Sequence, residues 1–283
     1  MYFRFFFRRR TASVFVTVLA TALLVAIFAG CQSETTETNH GAVQENSENS
    51  NPAGEQVATN DPETDRSTGN SAPPQKDVSQ DVARLKQQYE DFTKTASPVN
   101  GRELAPEVEQ VTEQMLQLAV DNPAAKGAFE ALEFVTNIHS VGPKLTRAYA
   151  ELQKHHLLNQ AIGDICMKHS FNCGPGIDEL MRSVEQTATD RTVLAKTIYA
   201  RSRLYYFSKN TRQQFERGGP AIEEMKKLLP AETLNHIMNF QPRDEESRQL
   251  LQKLIDDYAD IEIDGQSMKN VASDAMKFLV EGG

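Results

Sequence analysis

Cys166, His169 and Cys173 fall within one short stretch, just downstream of the pair His155-His156. Thiols and imidazoles at such spacing offer three kinds of chemistry. The first is a local disulfide between Cys166 and Cys173, with six residues between them across a helix end and a Gly-Pro-Gly turn. It requires Cα atoms within about 4.4–6.8 Å and would staple that turn by about 2 kcal/mol. The second leaves Cys166 as a small buried apolar residue and Cys173 as a free thiol. The third is a metal centre, because Cys166-x-x-His169-x-x-x-Cys173 has ligand-like spacing. That spacing is not one of the usual zinc patterns, and adjacent histidines on a helix point about 100° apart, so His155 and His156 cannot both face one ion. The expectation is therefore no metal, with the disulfide and the buried-thiol readings both open.

Other chemistry-bearing groups resolve to plainer roles. Asp260-x-Glu262-x-Asp264-Gly265 matches the start of a calcium loop, but the twelfth position is Val271, where that loop needs a bidentate Glu. An acidic turn between helices is expected there. The pairs Glu223-Glu224 and Asp256-Asp257 read as solvated helix faces. Tyr205-Tyr206-Phe207, following Arg201 and Arg203, reads as core at Leu204 and Phe207 with an exposed tyrosine, or as the lining of a partner groove. The sequence holds no Gly-x-Ser-x-Gly, no phosphate-binding glycine loop with lysine, no His-Glu-x-x-His and no dinucleotide fingerprint. No catalytic residue and no cofactor is assigned.

The elements that carry these residues are helical. From Asp77 onward apolar residues recur every three to four positions: Val82, Leu85, Tyr89, Phe92; then Val108, Val111, Met115, Leu118; then Ala128, Phe129, Leu132, Val135. Proline and glycine punctuate at Ser97-Pro98, Pro106, Asn122-Pro123, Gly142-Pro143, Gly174-Pro175-Gly176, Gly218-Gly219-Pro220, Pro230 and Pro242. Asp190 caps a long helix with Val193, Leu194, Ile198, Ala200, Leu204 and Phe207. Ile261-Glu262-Ile263 is too short to count as a strand. The fold class expected is all-α: about ten short helices in antiparallel pairs over residues 78–283, as a helical-repeat-like array or an irregular bundle.

Upstream of that domain the composition changes twice. Residues 1–10 carry Arg4, Arg8, Arg9 and Arg10 and no acid, and an apolar run of about sixteen residues follows, ending in Phe28-Ala29-Gly30-Cys31. Basic, apolar, small and then cysteine is the order of a secretory signal, and the run is short for a membrane span of roughly 20 residues. It resembles a bacterial lipoprotein signal, which implies cleavage after residue 30 and lipidation of Cys31. Phe28 departs from the aliphatic residue usual at its position. An uncleaved anchor would leave the rest outside the cytoplasm too, and Arg8-Arg9-Arg10 is a poor twin-arginine match. Residues 31–77, rich in Glu, Asn, Thr, Ser, Gly and Pro, are expected to form a disordered linker of about 35 Å end-to-end distance.

Charge narrows the partners. The chain has 30 Lys+Arg and 39 Asp+Glu; without the four N-terminal arginines the balance is 26 against 39, a net charge of −13. Phosphate neutralisation needs clustered Lys and Arg, so nucleic acid is excluded, as is electrostatic binding to anionic lipid. The expected partners are the membrane, through the lipid on Cys31, and an envelope protein. Gln32, rather than Asp, after the cysteine favours the outer membrane.

One further resemblance covers Asn122 to Glu281. It is carried by Asn122-Pro123-Ala124-Ala125-Lys126-Gly127-Ala128-Phe129-Glu130-Ala131-Leu132, by His155-His156, by Ile162-Gly163-Asp164-Ile165-Cys166, by Asp190-Arg191 and by Leu251 through Asp260. This stretch is similar to the helical region preceding the thioredoxin-like (redoxin) domain of some bacterial lipoproteins. The redoxin domain bears a Cys-x-x-Cys, absent here, and Gly283 falls where that domain would start. The resemblance thus implies the helical module alone. Two functions follow as expectations: a membrane-tethered interaction or scaffold domain without catalysis, or an accessory to a thiol-disulfide system using Cys166 or Cys173.

Overall fold

A computed structural model describes residues 76–95 and 106–281. The signal segment, Cys31, nearly all of the linker and the Ser97-Pro98 breaker lie outside the described residues. The described chain is all-α, with eleven helices and one two-residue strand pair. These are α1 (Ser79–Thr95), α2 (Pro106–Asp121), α3 (Ala128–Ile138), α4 (Pro143–His155), α5 (Ile162–Lys168), α6 (Ile177–Thr187), α7 (Arg191–Arg217), α8 (Pro220–Leu228), α9 (Ala231–Asn239), α10 (Asp244–Asp257) and α11 (Met268–Glu281). Among them, no helix is long and apolar enough to cross a membrane.

Local chemistry sets the boundaries. Pro143 and Pro220 sit in the first turns of α4 and α8, where a missing N–H is harmless. Asp190 caps α7, its Oδ1 accepting from the backbone N–H of Thr192 at 2.8 Å and of Val193 at 3.0 Å. Gly127 precedes α3 at φ +97°, and a Cβ there would stand 2.9 Å from the Ser79 nitrogen. Only glycine lets the starts of α1 and α3 come this close, and Val78 bonds across the same junction to the Lys126 carbonyl at 3.1 Å.

The first four helices pack on their sequence neighbours, α1 on α2, α2 on α3 and α3 on α4. The arrangement then changes. The 27 residues of α7 span about 40 Å, and α5, α6, α8, α9, α10 and α11 all pack on this one helix. It can serve them all because it is apolar on two faces. Val193, Ala200 and Leu204 join a core built from α1 to α6; Ala195, Ile198 and Tyr205 join a second core with Leu250, Leu251 and Leu254 of α10 and Ala272 of α11. Of the two architectures the sequence allows, the molecule is the irregular bundle, organised around a central helix.

The acidic connector differs from expectation. Glu262–Ile263 (β1) pairs antiparallel with Gln266–Ser267 (β2), Ile263 opposite Gln266. Asp264 and Gly265, at φ +52° and +73°, turn the chain, as Asp-Gly does in tight hairpins. Asp260, the first acid of the calcium-like pattern, instead holds Arg191 through two bonds of 2.8 and 2.9 Å.

Leu204 and Leu254 lie in different cores, and both cores rest on α7. Leu204→Ala and Leu254→Ala are each expected to destabilise the fold by about 2–5 kcal/mol. Urea unfolding followed by circular dichroism should stay a single transition in both; two separated transitions would mean that α7 does not couple the cores.

Candidate functional site

Cys166 and Cys173 are free thiols. Cys166, fully buried on α5, is hydrogen-bonded to Thr197. The Cys173 sulfur lies 3.5 Å from Thr211 Oγ1 and 3.7 Å from the Phe171 carbonyl oxygen. Thr197 and Thr211 are 14 residues apart on α7, about 20 Å along its axis, so the thiols are anchored at distant points of the helix. Burial pushes the Cys166 thiol up to about 12 and raises that of Cys173 as well. Both are protonated at neutral pH, and a thiol without thiolate character is a poor nucleophile and redox centre.

The histidines disperse too. His155 on α4 stands 3.7 Å from Glu151. His156 meets the Phe129 ring edge-on at 5.7 Å. His169 packs edge-on against Tyr149 at 5.4 Å. Among the described residues no three His, Cys, Asp or Glu side chains gather as a metal-ligand set. Burial lowers the pKa of His156, and that of His169 to about 3. The Nε2 atoms of both are buried without a hydrogen-bond partner.

His169 and Cys173 do meet in a cavity of about 220 Å³. Ile138 and His139 contribute from the end of α3, Thr211 and Phe215 from α7, Leu229 from the end of α8 and Ile237 from α9. His139, which the sequence reading passed over, places Nε2 3.1 Å from Thr112 Oγ1, and burial lowers its pKa. The walls are mainly apolar, and no carboxylate is among them.

A second cluster also escaped the sequence reading. Tyr205 is buried, Tyr206 is half-buried where one exposed tyrosine was expected, and Phe207, expected in the core, is only half-buried. The Tyr205 hydroxyl donates to Asp178 Oδ1 at 2.8 Å and accepts from Arg182 at 2.6 Å and Arg243 at 3.1 Å. Arg243 also donates to Asp178 at 2.8 Å, and Arg182 to Glu246 at 2.7 Å. Arg201 pairs with Glu185 at 3.1 Å and Glu246 at 3.4 Å. The Arg182, Arg201 and Arg243 guanidiniums stand 5.1–6.0 Å from the Tyr205 ring centre. Three arginines and three carboxylates from α6, α7 and the start of α10 balance around one phenol. Clustered titratable groups are a mark of active sites; here most pair with one another, Glu185 Oε1 and Arg201 Nε being left without a hydrogen-bond partner, and they act as a clasp between helices.

A third arrangement faces outward. Phe171 is 45% exposed and packs on Phe207 with ring centres 4.3 Å apart. The Arg203 guanidinium lies 4.0 Å from the centre of the Phe171 ring and 5.4 Å from that of Tyr199. Its basic neighbours on α7 have acidic partners: Arg191 with Asp260, Lys196 with Asp164, Arg201 with Glu185, Lys209 with Asp244 and Arg212 with Glu216. Arg203 has no carboxylate partner among the described residues, and burial between the rings lowers its pKa.

No family model matches the chain, and neither a curated protein nor a solved structure matches it.

Removing the Tyr205 hydroxyl leaves Asp178 and two arginines without their shared partner. Tyr205→Phe is expected to destabilise the domain by about 1–3 kcal/mol, measured by urea denaturation; an unchanged midpoint would show that the clasp is dispensable. Because the folded-state pKa of His169 is depressed from 6.5 to about 3, the unfolded chain binds the extra proton between those values. The stability that neutral His169 permits is full above pH 6.5 and falls as pH drops toward 3. His169→Phe should flatten that slope by up to one proton, and an unchanged slope would refute the assignment.

Proposed function

We propose that the chain is a membrane-tethered, extracytoplasmic lipoprotein whose helical domain binds an envelope protein and performs no catalysis. The order of basic segment, apolar run and Cys31 supports the tether, and the polar stretch behind it supports display away from the bilayer. The observation that carries the binding reading is Arg203. A half-buried guanidinium stacked on an exposed phenylalanine, with no carboxylate partner among the described residues, has the composition of an interface hot spot. The partner surface is accordingly a carboxylate beside an apolar side chain, meeting Arg203 and Phe171. The protonated state of both thiols supports this role over the thiol-disulfide accessory that the redoxin resemblance raises.

Two substitutions separate the parts of the proposal. Cys31→Ser is expected to abolish incorporation of labelled palmitate and to leave the apolar run uncleaved, seen as a larger band on a gel; unchanged labelling and size would overturn the lipid anchor. Arg203→Ala and Phe171→Ala should each weaken retention of the partner from envelope extract by at least about tenfold, by quantitative mass spectrometry against wild type. The exposed-site control Lys227→Ala should retain it fully. Equal retention by all three would overturn the assigned surface.

A further inference from the structure

The cavity between α7, α8 and α9 has a wall unlike the others. Alone among the described helices, α8 buries none of its residues. It follows Gly218 and Gly219, both in the left-handed region at φ +67° and +115°, and a Cβ on Gly219 would meet nothing within 4 Å. Leu229-Pro230 ends it. Through Met225 and Leu229, this loosely anchored helix closes one side of the cavity. Hinges that absorb large backbone changes are built in this way, from a few loop residues flanking a rigid cover.

The interior defines what would fit. About 220 Å³ exceeds the roughly 150 Å³ of an apolar cavity that takes up benzene, so the space suits a molecule one ring larger. Phe171, Phe215, Met225, Leu229 and Ile237 supply apolar contact. A cation would find no carboxylate in the lining. The one lysine there, Lys168, already donates to Asn137 at 2.5 Å. The histidines His139 and His169 are held neutral by burial.

We propose that this cavity binds an uncharged, mainly apolar small molecule of about ten non-hydrogen atoms, and that α8 is the lid through which it enters. Apolar walls with a few placed polar groups are the usual make-up of small-molecule sites. The body of the ligand packs between Phe215 and Met225. The site is separate from the Arg203 surface: Phe171 borders both, and Arg203 is not among the cavity walls.

The chain contains no tryptophan, so indole serves as both probe and reporter. Titrating the full chain with indole should give a saturable, one-to-one blue shift of indole emission, with a dissociation constant of about 1 mM or tighter. Val141→Phe, in the loop lining the cavity, should weaken this at least about tenfold while circular dichroism stays unchanged; Thr211→Met is the second filling variant if the first fails to fold. Indole-3-carboxylate should bind at least about tenfold more weakly than indole. Gly218→Ala with Gly219→Ala should slow association in stopped flow. No saturable shift by about 5 mM indole, equal binding in a folded filling variant, or equal binding of the carboxylate would overturn the site; unchanged association in the hinge variant would overturn the lid.

Discussion

A helix that is apolar on two faces cannot rest on the surface of anything; it must be covered on both sides or the chain does not fold. Helix α7 imposes that constraint on the whole domain. Val193, Ala200 and Leu204 call for one cover, and Ala195, Ile198 and Tyr205 for another. The helices before α7 supply the first, and α10 and α11 supply the second. The clasp around Tyr205 lies where α6, α7 and α10 converge, and it converts non-directional burial into a fixed alignment. Phenol and guanidinium geometry tolerates far less sliding than leucine against leucine.

The same burial governs the chemistry. Taking a thiol or an imidazole out of water penalises its charged form. Cys166 is thereby held as a thiol, and His169 as a neutral base that cannot act at ordinary pH. The groups that look most reactive in the sequence are the ones the core makes inert. What remains available is recognition: an aromatic-framed arginine at the surface and an apolar cavity beneath a weakly held helix.

Much of the fold was legible in the chain. Pro106, Pro143, Pro220 and Pro230 mark helix starts because of what proline lacks, and Asp190 marks another because of what its carboxylate accepts. The all-α class followed from periodicity. The functional geometry was less accessible, for a physical reason. Periodicity reports one apolar stripe at a time, and α7 has two, so the aromatic run at Tyr205-Tyr206-Phe207 did not show which ring is buried. Arg182 and Glu246 are 64 residues apart, and Tyr205 and Asp178 are 27 apart; no local pattern announces such pairs. The cysteines left two readings open. They are close in sequence, yet each is drawn to a different end of the same long helix. Asp264-Gly265 carried a hairpin signal that the brevity of its strands obscured.

The central position of α7 also orders events in time. A chain that emerges N-terminus first presents α1 to α6 early, and their apolar faces then lack the wall that Val193, Ala200 and Leu204 provide. The early part of the chain must therefore wait, partly collapsed, for the middle. The later part has no such delay, since α7 is already present when α10 and α11 appear. Vectorial synthesis thus exposes the first core longest, and that half of the molecule is where a holding chaperone has most to shield.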